Sequence, residues 1–80
     1  MEKEFFDLSR LSDGEKAKII HLENEPVMKR RLFDLGFVPE TTVECVKTAP
    51  FGDPKAYLVK NTVIALRSED SEKVKVKKLS

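Results

Sequence analysis

From Thr42 onward the apolar residues gather into short runs of strand length, and in the first and last of them they alternate with polar ones. Thr42–Val46, Ala56–Val59, Val63–Leu66 and Val74–Lys77 are short runs rich in β-branched or aromatic residues, separated by turn chemistry, and each predicts a strand. In the last run Val74 and Val76 alternate with Lys73, Lys75 and Lys77, so one face is buried and the other carries lysines that discourage edge-to-edge aggregation. Asn61-Thr62 joins two of the runs, and Asn tolerates the positive φ that a tight hairpin turn demands. Upstream, Lys16–Glu23 opens with the same alternation and predicts the first strand. Still earlier, Phe5, Phe6, Leu8 and Leu11 lay apolar side chains against the domain before the turn residues Ser12-Asp13-Gly14, without a period that assigns them an element.

The period changes to that of a helix between Glu25 and Leu35. Asn24 or Glu25 can cap it, Pro26 suits its first turn, and Gly36 sits where a left-handed residue ends a helix. Met28, Leu32 and Leu35 fall at i, i+4 and i+7 and predict a core-facing stripe. Lys29, Arg30 and Phe33 point the other way, which leaves Phe33 as an aromatic on the polar face unless a loop covers it. The pattern thus predicts a mainly β fold: about five short antiparallel strands closing into a small barrel, with one α-helix inserted after the first strand and room for a second short helical turn.

Composition narrows the classes of function. With 80 residues the chain, 1–80, reads as a single domain. Its 15 basic and 14 acidic residues nearly cancel, so net charge carries no nucleic-acid signature. Tyr57 is the one aromatic in any predicted strand, short of the stacking platform of single-strand binders, and the reading is no nucleic acid. No apolar stretch approaches the roughly 18 residues of a membrane span. The charged start Met1-Glu2-Lys3-Glu4 is unlike a secretory signal, and a cytoplasmic location is expected. A lone Cys45 excludes an internal disulfide.

Enzymatic constellations are missing, so a catalytic role is not expected. His21 and Cys45 lie in different predicted strands with no motif uniting them, and Cys45 alternates with Val43 on an apolar face as a core thiol would. They are the weak candidates for a metal such as Fe2+ or another divalent ion. A closed zinc site needs about four nitrogen or sulfur ligands in close pairs, which the chain does not offer. No glycine-rich phosphate loop is present. The least ordinary segment is Ala49-Pro50-Phe51-Gly52-Asp53-Pro54: two prolines restrict the backbone and Gly52-Asp53 supplies a turn, so the sequence predicts a rigid loop presenting Phe51.

Taken together, Leu8-x-x-Leu11-x-x-Gly14, Arg30-Arg31-Leu32-x-x-Leu35-Gly36-Phe37-x-Pro39, Ala49-Pro50-Phe51-Gly52-Asp53-Pro54 and Ile64-Ala65-Leu66-Arg67 resemble, in order and spacing, the successive signatures of the ferrous iron transport protein A (FeoA) family. The resemblance covers nearly the whole chain. It implies an SH3-like barrel and a cytoplasmic accessory of bacterial ferrous iron uptake, acting on the membrane ferrous iron transporter with its cytosolic GTP-binding domain. It departs at Glu40, where the family commonly has Gly, and at Asn61-Thr62, where it commonly has Gly or a similar turn residue. No catalytic residue is implied.

The expected role is therefore an adaptor that is peripheral to the membrane only through its partner. Arg30 and Phe33 on the helix, with Phe51, Gly52 and Asp53 in the loop, are its expected partner-binding residues. The alternative is a transition-metal-binding sensor or delivery domain, similar to the SH3-like domain of iron-dependent repressors. Barrel edges can pair between chains, so a homo-oligomer stays open.

Overall fold

Alternation within the strands sets one buried face. The computed structural model describes residues 5–79; the Met1–Glu4 start lies outside them. In chain order they form β1 (Phe5–Asp7), a 3-10 turn (Leu8–Arg10), β2 (Lys16–Leu22), α1 (Pro26–Leu35), β3 (Thr42–Thr48), β4 (Lys55–Val59), β5 (Thr62–Leu66), α2 (Ser68–Ser71) and β6 (Val74–Lys78). The strands make one antiparallel sheet in the order β1-β6-β2-β3-β4-β5. Ala17 and Ile19, Val43 and Cys45, Tyr57 and Val59, and Val74 and Val76 turn inward from four of these strands and meet Leu8, Leu11, Leu32 and Phe37 in the core.

Six strands stand where about five were expected, so the helix follows the second strand and not the first. The additional one is β1, which exists because Phe6 pairs with Val76 at the far end of the chain. Three residues are too few to show a period. The predicted closure is also modified: β1 and β5 end the sheet, and no ladder joins them among the described residues. Two bulges bend the sheet around its core instead. One, between Ile19 and His21, shifts the register of β2 so that Leu22 points inward and His21 outward. The other lies between Cys45 and Lys47 in β3, where the consecutive residues Val46 and Lys47 are both exposed. The 3-10 turn after β1 also reaches β4, where Lys55 Nζ donates to the carbonyls of Ser9 and Leu11, both at 2.7 Å.

Helix α1 has the expected limits, but neither expected side chain caps its start. Glu25 is the N-cap residue without a side-chain bond. Asn24 is buried, and its Nδ2 donates to the Asp70 carbonyl at 3.0 Å. At the other end Gly36 takes φ 109°, its N–H donates to Phe33 O and that of Phe37 to Leu32 O, the paired bonds of a Schellman motif. The core stripe is narrower than predicted. Leu32 is buried and Met28 packs against the core, but Leu35 is 40% exposed and Phe33 is 39% exposed. A ten-residue helix at the side of a small sheet has core beneath its middle and little beneath its last turn. The hairpin turn is also one residue earlier than predicted: Val59 pairs with Thr62, and Lys60 and Asn61 take φ 48° and 64°. The second helical turn is α2.

Candidate functional site

The Ala49–Pro54 loop is held at its neck. Ala49 N–H donates to Pro54 O and Gly52 N–H to Ala49 O, with Gly52 at φ 91°, the conformation that favours glycine. Asp53 then ties the loop to the next layer: its Oδ1 accepts from the Ser68 N–H at 2.9 Å and its Oδ2 from the Ser68 hydroxyl at 3.4 Å. Its carboxylate thereby satisfies a free donor at the start of α2, a role usually filled by the residue just before a helix. Between these anchors Phe51 is 98% exposed. An aromatic ring in water on a braced loop is an anchor with little ordering entropy left to lose.

Helix α1 presents the second surface. Arg30 and Phe33, three residues apart, share its outer face and with Asn24, Pro26 and Lys29 line a shallow concavity of about 370 Å³. Val27, one residue into the helix, is 81% exposed. Neither Lys29 nor Arg30 has a side-chain partner among the described residues, so the face is basic as well as aromatic. No ring contact joins Phe33 to Phe51. The loop and the helix are linked through α2, whose Ser68 is held by Asp53 and whose Asp70 carbonyl is held by Asn24.

His21 and Cys45 are not brought together. His21 is on the outer surface, its Nε2 2.9 Å from Glu23 Oε2 and its ring edge-on to Phe5. That hydrogen bond holds the Glu23 carboxyl below its usual range. Cys45 is fully buried, its thiol pointing at Asp13 Oδ1 from 3.7 Å, and burial pushes its pKa up. Among the described residues no three His, Cys, Asp or Glu side chains are grouped to hold a metal ion. The sequence reading missed Lys55 and Asn24, whose work depends on contacts distant along the chain. It also missed Asp13, which accepts from Thr48 and from Cys45 across the sheet.

The braced loop leads into the β4–β5 hairpin, and the chain as a whole matches a known family. The model of the FeoA domain matches residues 6–78. The chain belongs to the FeoA domain family. A fusion of Fe(2+) transport protein A with the Fe(2+) transporter FeoB from Porphyromonas gingivalis is 36% identical over 73 residues, 91% of this chain and 9% of that protein. The chain thus spans under a tenth of the curated relative it matches. The FeoA protein of Chlorobium tepidum superposes with a TM-score of 0.88 at 31% identity, covering 92% of this chain and 70% of that one. FeoA of Stenotrophomonas maltophilia, solved in complex with zinc and described as a prokaryotic SH3 domain protein, gives 0.80 at 31% identity over 89% and 88%. The SH3-like fold of FeoA proteins is therefore the fold of this chain, with no ladder between β1 and β5 among the described residues.

Proposed function

We propose that this domain is a non-enzymatic accessory of ferrous iron uptake, which binds a cytosolic part of the membrane iron transporter and modulates it by protein–protein contact. The observation that carries this reading is the fusion in Porphyromonas gingivalis, where a domain 36% identical to this one is covalently joined to the transporter FeoB. Such a junction keeps two partners at high effective concentration, which is useful where they bind each other. Among the described residues no helix is long and apolar enough to cross a membrane, and in this reading contact with the membrane comes through the transporter. The Phe51 loop and the basic, aromatic face of Arg30 and Phe33 supply the contacts.

The test is calorimetric titration of this protein with the cytosolic GTP-binding domain of the transporter. Phe51→Ala is expected to weaken binding at least about tenfold, as loss of an aromatic anchor does. Because Phe51 is 98% exposed, the same variant should unfold at an unchanged temperature. Binding that is identical in wild type, Phe51→Ala and Phe33→Ala would remove both surfaces from the account.

A further inference from the structure

β5 ends the sheet, and no described strand pairs with its outer edge. The two-residue turn makes Val59 and Thr62 a hydrogen-bonded pair, so Ile64 and Leu66 also direct their N–H and C=O groups to β4. Those of Val63 and Ala65 consequently face outward, and no described backbone group bonds to them. Natural edges are usually blunted by charge, proline or brevity. The opposite edge follows that rule, because β1 is three residues long and contains Asp7. β5, Thr62-Val63-Ile64-Ala65-Leu66, has neither charge nor proline.

A groove of about 290 Å³ runs along this edge. Ile64, Ala65 and Leu66 all line it although successive side chains point to opposite faces, so the strand presents its edge there and not a face. The opposite wall is α1, with Met28, Leu32 and the 40%-exposed Leu35. Arg31 and Arg67 stand at its sides, and neither has a side-chain partner among the described residues. One carboxylate, Asp70, lies at the end nearest α2. The groove is therefore apolar at its base, net positive at its rim, and flanked by unused backbone donors and acceptors.

We propose that the β5 edge accepts an extended, acidic and apolar segment of a partner protein as a seventh strand. Backbone pairing to Val63 and Ala65 supplies the hydrogen bonds, as in other strand-addition complexes. Alternate side chains of the segment then divide between the apolar base at Met28, Leu32 and Ile64 and the outward side, where Arg67 meets a carboxylate. A second copy of this chain is a poorer occupant, since its β5, Thr62–Leu66, has no carboxylate to offer Arg31 and Arg67. This proposal does not depend on the Phe51 loop or on the identity of the transporter.

The probe is a capped hexapeptide alternating glutamate and valine, titrated into the nitrogen-15-labelled chain. The expected result is saturable amide shifts at Val63 and Ala65 and along Met28–Leu35, with exchange of the Val63 and Ala65 amides slowed about tenfold at saturation. Arg67→Glu should weaken that peptide at least about fivefold and favour a lysine–valine peptide of the same length. Ala65→Pro, which deletes an outward N–H that β4 does not use, should abolish binding while the fold is kept. If that variant fails to fold, the Arg67→Glu result decides. The proposal is overturned by absence of saturable shifts at millimolar peptide, by shifts on another surface, or by equal binding of both peptides. A concentration-dependent dimer whose β5 amides are already protected would likewise overturn it, naming a second copy as the occupant.

Discussion

Glu40 occupies a conformation that its side chain does not favour. Its φ is 77°, in the left-handed region where a Cβ costs about 1–2 kcal/mol. This is the position at which the resemblance led one to expect Gly, and the backbone has the geometry that Gly would serve. Glu40 N–H donates to Ile19 O at 2.7 Å, which fixes the turn against β2 regardless of the side chain. The carboxylate gains only an exposed pairing with Lys18 at 3.4 Å, and such pairs contribute little. Glu40→Gly should therefore stabilise the protein by about 0.5–1 kcal/mol after the extra freedom of Gly in the unfolded chain is subtracted. Urea unfolding checks it through a higher midpoint at unchanged slope, and a lower midpoint would show that the Glu40 side chain is needed. Lys60 and Asn61 show the limit of reading such sites from sequence. Asn61 was legible as a turn residue, but the positive φ of Lys60 was not, because lysine carries no turn signal and the register of β4 and β5 imposes it.

At the scale of elements, the helix was the most legible part, since its signals are local. Pro26 and Gly36 fix its ends within the helix's own sequence, and the Schellman bonds confirm the second. A Cβ at Gly36 would lie 3.3 Å from Lys60 Cδ and would also need the left-handed backbone. Gly36→Ala is thus expected to destabilise by about 1–2 kcal/mol, read as a lower thermal midpoint. β1 was illegible for the opposite reason: it is three residues made into a strand by β6. The outward direction of His21 was not legible either, because alternation from Ala17 and Ile19 alone does not show the bulge that shifts the register. The Ala49–Pro54 loop was legible as a rigid element from its prolines, but its tether was not, because Ser68 is fifteen residues further on. Asp53→Ala should speed exchange of the Ser68 amide and cost about 1 kcal/mol, as loss of a helix cap does. Unchanged exchange at Ser68 would mean that the loop stands without that bond.

At the scale of the whole molecule, the buried ionisable groups couple stability to pH. Burial pushes the Cys45 thiol up and the Tyr57 phenol up to about 12. In the unfolded chain the same groups lose protons near pH 8.5 and 10. Above those values the unfolded state binds fewer protons than the folded one, so stability falls as pH rises. Denaturant titrations should show a loss starting near pH 8.5 and steepening above pH 10. Tyr57→Phe should flatten the part above pH 10. A stability that stays constant up to pH 11 would contradict the burial of both groups.

The functional account rests on which surfaces this core leaves free. Leu8, Phe37 and Tyr57 are consumed by packing, whereas Phe51 stands in water and Phe33 is partly exposed. The measurement that tests it most directly is amide shift mapping of the labelled protein with the cytosolic domain of the ferrous iron transporter. The account predicts saturable shifts concentrated at Phe51, Gly52 and Asp53 and around Arg30 and Phe33. Saturable shifts confined to the surface around His21 and Lys75, or none at millimolar concentration, would contradict it.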